Sequence, residues 1–387
     1  MAGSAYTYTQ KSISSHIGFL VGWMTLLDYI LLPMINFLIA GNFLAEAFPA
    51  IPADIWISFL IIIVTAVNVI GIKLNTSING MLMVYMGLVL IMFFFLSIKD
   101  VAGIGGTEAL LTSKPFFSHG ISFTYVLSGA ALVSLSFLGF DAVTTLSEET
   151  VNPKKTIPRA IFITIFIAGT LFTAVSYFAY VVHPNYTTFH NLDTAASEVA
   201  HLIGGRIFNA MFLAGVLASA AASALASHAS ASRLLFVAMG RDNVLPKKVF
   251  GYVHPKFKTP MLNVLLVGLF GCSALFLNLE TASSLINFGA FIAFIFVNLS
   301  VVFHYFIRNR QRNLKGIIAY LILPLLGAAL TVILWVNLGF KSLSVGVTWF
   351  LCGFIYLIYL TQFFKKKPPQ FDMEETQSLT IKEENIL

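Results

Sequence analysis

A chain of 387 residues in which 58% are hydrophobic and only 10% charged lies outside the range of soluble domains, where about a quarter of residues carry charge. A mean hydropathy of +0.86 and the absence of polar faces in the apolar runs exclude a soluble helical core and point to an all-α protein embedded in the lipid bilayer. The net charge of +6 sits in the short segments between those runs, so it reflects loop sidedness and does not imply nucleic acid as a partner.

The opening residues, MAGSAYTYTQKSISSH, lack the apolar core of a cleavable signal peptide. After them, runs of about 20 apolar residues, the length that crosses a bilayer, recur at roughly 17–45, 54–71, 80–98, 122–146, 159–182, 205–239, 260–278, 282–307, 316–338 and 343–364, which predicts ten membrane helices. With an even number of spans, nineteen basic residues fall on one side and four (Lys99, Lys114, Arg206 and Lys341) on the other. Because cytoplasmic loops retain Lys and Arg, both termini are expected in the cytoplasm.

The first span places Asp28 and Tyr29 about halfway across, with Pro33 just after; a carboxylate at that depth must face protein or a water-filled cavity. Gly18 and Gly22 form a GxxxG pair that permits close approach of another helix. The fourth span ends in SLSFLGFDAVTTLSEETVNPKKTIPR, residues 134–159, and stops being apolar partway through. Gly139 lets the backbone leave helical geometry, Asp141 carries a charge too costly to leave in lipid, and Lys154, Lys155 and Arg159 hold one end at the cytoplasmic surface.

The sixth span is rich in small residues, with Ser219, Ser223, Ser227, His228, Ser230 and Ser232 supplying hydroxyls and one imidazole either to a pathway or to close packing. Before it, His183, His190 and His201 match no zinc spacing and are expected as loop residues, so neither metal nor cofactor is expected. Cys272 and Cys352 lie within apolar runs as small packing residues. Residues 1–366 are expected to form one transmembrane unit and 367–387 a polar cytoplasmic tail. No HExxH, GxSxG or paired nucleophile and base occurs in any span, and an enzyme is not expected.

AGSAYTYTQKSI (2–13), HIGFLVGWMTLLDYILLPMINFL (16–38), SFLGFDAVTTLSEET (136–150), the segment from LASHASASRLLFVAMGRDNVLP through FGYVHPKFKTPMLNV (225–264) and SLINFGAFIAFIFVNLSVVFHY (284–305) together span most of the chain. In these stretches the sequence resembles the amino acid, polyamine and organocation (APC) transporters, and among them putrescine importers. The resemblance implies the LeuT-like fold, with inverted five-helix repeats, a substrate site near the midplane and interrupted helices lining it. It places Ser136, Phe137, Gly139, Phe140 and Asp141 along the unwound segment, with Asp141 facing a substrate ammonium. It also implies two helices ahead of AGSAYTY, hence ten spans here against twelve in the family and no interrupted first helix; aligned through Ile78 and Asn79, Met86 stands where amino acid carriers place a coupling lysine.

The residues themselves agree with a cationic substrate. A polyamine needs carboxylates at separated points with aromatic walls between them. Asp28, Asp141, Glu148 and Glu149 are the acidic residues near apolar spans, and Tyr29, Phe137, Phe140, Phe288 and Phe291 offer walls, with His228 as a further polar contact. Asp141 can instead cap the freed helix end, and Glu148 and Glu149 can form a solvated end facing Lys154 and Lys155. The expectation is alternating-access import of putrescine or a related polyamine, coupled to protons through Asp28, Asp141 or Glu148. The alternatives are an amino acid permease of the same family and, from another class, a truncated non-transporting membrane remnant or a membrane-embedded interaction protein.

Overall fold

The computed structural model describes residues 5–71, 76–117, 122–140, 150–236 and 244–368. Within them the chain is helical: α1 (Ala5–Ser12), α2 (Ser15–Ala47), α3 (Ala53–Ile70), α4 (Thr76–Ala109), α5 (Phe123–Val133), α6 (Pro153–Val182), α7 (Ala195–Leu234), α8 (Lys247–Phe250), α9 (Met261–Gly271), α10 (Leu279–Val301), α11 (Leu314–Ile317), α12 (Leu323–Val336) and α13 (Phe340–Leu360). Eight helices among the described residues are long and apolar enough to cross a membrane, and two shorter apolar ones, Phe123–Phe137 and Met261–Leu275, lie where the fourth and seventh spans are expected.

Local chemistry sets the ends. Ser14 caps α2 by accepting from the Ile17 amide at 3.2 Å, and Asn278 caps α10 by accepting from the Thr281 amide at 3.0 Å. Gly71, at φ +81°, closes α3 in the left-handed conformation that glycine adopts without a Cβ penalty. The sixth span was expected to begin at 205, and the reason is visible: α7 bends at Gly205 (φ +62°, ψ −160°), which separates a short lead-in from the membrane stretch. α6 begins at Pro153, earlier than expected from hydropathy, because the helix continues through the basic flank from Lys154 to Arg159 before it turns apolar.

α2 is the central column, packing on α1, α3, α7, α10 and α13. Bundles in lipid lack a hydrophobic drive between helices, so close approach depends on small residues and on interhelical hydrogen bonds. Gly289 of α10 lies so near α2 that a Cβ there would stand 2.6 Å from the Met24 carbonyl oxygen. Gly346 and Gly353 of α13 similarly seat the rings of Phe288 and Trp23. Trp23 and Trp349 stack at 4.9 Å, and each indole N–H donates to the other residue's backbone carbonyl at 3.0 Å. This reciprocal pair satisfies two donors that would otherwise be stranded in hydrocarbon. The close approach expected at Gly18 also occurs, its partner being Gln10 of α1.

Candidate functional site

The fourth span is interrupted. α5 ends at Val133, residues Ser134–Phe137 tighten into a 3₁₀ turn, Leu138 is extended (φ −62°, ψ 139°), and Gly139 takes φ +97°. At that φ a side chain would be strained even though no atom lies within 4 Å of the Cβ position, so it is backbone geometry that favours glycine here. Asp141, Glu148 and Glu149 lie outside the described residues.

The break is built into the core on one side. Leu135 and Leu138 pack on the cluster that contains Leu27 and Leu31 of α2 and Leu285 and Ile286 of α10. Phe137 meets Phe172 of α6 edge-on at 5.2 Å, and Phe140 meets Phe294 of α10 at 5.4 Å. Ser136 and Gly139 are exposed. Phe137 thus lies against α6 and Phe140 against α10, while Ser136 and Gly139 are left open.

Asp28 follows Leu27, a member of that cluster, on α2. It is half-buried, and its backbone nitrogen stands 3.5 Å from the Cβ position of Gly289. Tyr29, next in sequence, is 38% exposed at mid-span, where an aromatic hydroxyl can meet a ligand. Pro33 cannot donate to the Tyr29 carbonyl, so this turn of α2 forgoes one helical hydrogen bond. Phe288 is only 1% exposed and sits with Met24, Ala131 and Phe291, its ring 5.2 Å from that of Trp335.

α7 divides the residues of the small-residue span between two faces. Ser219, Ser223, Ala226 and Ser230 recur at helical spacing along an exposed face. His228 lies on the opposite face and is fully buried; its Nε2 is 3.0 Å from the Val264 carbonyl of α9 and its ring meets Phe37 of α2 edge-on. That bond makes Nε2 the protonated nitrogen, and Nδ1 is buried with no hydrogen-bond partner. The imidazole is therefore held between α2 and α9, on the face of α7 opposite the exposed serines. Ser227 and Ser232, also buried, donate back to their own helix. Met86 of α4 abuts α7, with its sulfur 3.0 Å from the Cβ position of Gly215.

One residue that the apolar pattern hides is Asn287. Its side-chain amide donates to the carbonyls of Ala131 at 2.8 Å and Leu132 at 3.2 Å, the last turn of α5 before the break. A lone amide in an apolar run, between Ile286 and Phe288, is the signal that could have found it. A groove of about 890 Å³ runs between Leu111–Phe116 and the Ile165–Phe178 stretch of α6, and its Gly169 lies beside the Phe137 ring. Among the described residues no cluster of three or more His, Cys, Asp or Glu could hold a metal ion, and Cys272 and Cys352 are free.

Residues 1–368 match the amino acid permease family. The chain belongs to that family. Consistent with this, the permease is 39% identical over 372 residues, 96% of its own length and 82% of the relative's, to the low-affinity putrescine importer PlaP of Escherichia coli K12. It is 28% identical over 375 residues to a methylthioribose transporter of Bacillus subtilis, covering 90% of this chain and 76% of that one. It is 27% identical over 386 residues to the branched-chain amino acid permease BcaP of the same organism, at 93% and 79% coverage. The permease is accordingly a multi-pass membrane transport protein with the APC fold, and the relatives are transporters, not enzymes.

Proposed function

We propose that this permease imports putrescine or a closely related polyamine by alternating access, driven by protons and the membrane potential. The observation that carries the reading is the 39% identity with a putrescine importer across 96% of the chain. The chemistry at the break supports it. A diamine with two ammonium groups and a short alkyl stem is proposed to meet the half-buried Asp28, the exposed Tyr29 and the Phe137 and Phe140 rings of the interrupted span. Asp141 is proposed from sequence as the second carboxylate, and Asp28, Asp141 and Glu148 as the groups that take up the coupling proton. Ser136 and Gly139 contribute exposed backbone and hydroxyl, while Phe288 and His228 act from the packed side.

Residues 1–366 are proposed as the transport unit and 367–387 as a tail, with both termini in the cytoplasm of a bacterial cell. Reporter fusions at the C-terminus and in the loop near Lys341 test that sidedness. Radiolabelled putrescine uptake in cells lacking their own polyamine importers tests the substrate. Expected is saturable uptake that longer or shorter diamines inhibit in a graded way and that a protonophore collapses. If putrescine uptake is unchanged while amino acid uptake rises, the second reading, an amino acid permease, replaces the first; the 27% identity with a branched-chain amino acid permease favours that reading.

A further inference from the structure

Asn287 joins two parts of the molecule that otherwise share mainly apolar contact. On one side its helix is fixed to the central column: Gly289, two residues on, lies against the Met24 carbonyl, Ile286 is fully buried, and the Phe288 ring is held by Gly346 and Trp335. On the other side the amide reaches Ala131 and Leu132 of α5. The last carbonyls of a helix lack the i+4 amides that would satisfy them, and in a membrane interior water is not at hand to replace those amides. Both hydrogens of Asn287 are used at this end of α5, on the Ala131 carbonyl and on that of Leu132, which also accepts from the Ser134 backbone N–H. Because carbonyl oxygens only accept, the amide orientation is settled: nitrogen faces α5. Its own oxygen is buried with no hydrogen-bond partner, an arrangement that packing alone would not favour over leucine at this position.

We propose that Asn287 is a positioning residue for transport: it caps the end of the half-helix α5 and keeps that half docked on α10 and α2, where the α-helix gives way to the 3₁₀ turn at Ser134. The functional consequence rests on the transport reading above; the geometry does not. Ala131 is 1% exposed beneath the clamp, so a thiol placed there reports its opening.

The experiment uses the full chain in membranes, with Cys272→Ala and Cys352→Ala removing the native thiols and Ala131→Cys supplying the reporter. The rate of modification by N-ethylmaleimide is measured with Asn287 intact and in Asn287→Leu, which keeps the volume and removes both donors. Asn287→Leu is expected to raise the rate about tenfold, the scale of two interhelical hydrogen bonds in a membrane. Asn287→Gln retains both donors on a longer stem and is expected to stay within about twofold of the parent. Should Asn287→Leu fail to accumulate, Asn287→Ser, too short to reach both carbonyls, is expected to raise the rate in its place. In uptake assays Asn287→Leu lowers the maximal rate about tenfold and leaves the half-saturating concentration within about twofold, because the amide is fully buried and touches no substrate. An unchanged modification rate in the variants that lose the donors, or an equal rise in Asn287→Gln, overturns the clamp. The labelling needs no substrate, so a permease that ignores putrescine defeats the functional reading while the clamp is still decided.

Discussion

α2 and α6 have similar length and are both strongly apolar, yet they live in opposite surroundings. In the most apolar stretch of α2, 61% of residues are buried inside the protein; in that of α6, none are. α2 carries Trp23, Asp28 and Asn36 and is met by glycines from α10 and α13. α6 offers β-branched and aromatic side chains around its circumference and is held by scattered contacts: Gly169 and Phe172 beside Phe137, Phe178 against Phe94 of α4, and the Tyr177 hydroxyl on the Leu110 and Thr112 carbonyls. Hydropathy thus marks what enters the membrane, whereas small residues and paired polar groups mark what becomes the interior, because lipid and leucine are equally apolar and only fit and hydrogen bonding separate them.

The sharpest way to break this contrast is to fill a glycine on each side of it. Gly289→Leu drives a side chain into the Met24 carbonyl and is expected to cost about 3 kcal/mol or more, whereas Gly87→Leu on α4, with no atom within 4 Å, is expected to cost nothing and to gain up to about 1 kcal/mol from helix propensity. Unfolding of the purified protein in a graded denaturing detergent measures both, and equal losses would remove the distinction between the two faces.

Next in size is the tryptophan pair. Trp23→Phe and Trp349→Phe each remove one indole donor and are expected to cost about 1 kcal/mol, with a coupling energy of similar size in the double-mutant cycle. Additive losses would mean that the two hydrogen bonds act independently of the stacking.

Two glycines of the interrupted span give a smaller test with opposite signs. Gly139→Ala meets no atom but must hold φ +97°, at a cost of about 1 kcal/mol, and Gly129→Ala, inside α5 with open space around it, gains up to about 1 kcal/mol from helix propensity. The same denaturation series checks both, and a loss at Gly129 would show that α5 is packed more tightly there than it is drawn. Smallest of all, Phe162→Ala on α6, where the ring is 70% exposed, is expected to change stability by less than about 0.5 kcal/mol. A larger loss would reveal a partner on that face.

Much of this was readable in the residues. The ten apolar runs recur as eight long and two short helices, and the break falls at the glycine that hydropathy and charge had marked. Gly139 was visible because one residue type suits positive φ, a local property. The division of α7 into an exposed serine face and a buried face bearing His228 was not, since a helix of small residues has no hydropathic front or back; contact with Val264 and Phe37 settled it. Asn287 escaped notice because its partners, two backbone carbonyls more than 150 positions away, have no side-chain signature.

The sequence by itself determined that this chain crosses a membrane repeatedly, which family it belongs to, and where one helix is interrupted, because each of these follows from composition, from short contiguous motifs, or from the backbone preference of a single residue. Only the tertiary structure decided which helix is the central column, which face of α7 is buried, and what holds the interrupted helix in place. Those outcomes depend on glycine clefts and on carbonyl groups that meet across the bundle, and distances between helices are not written in the hydropathy of either one.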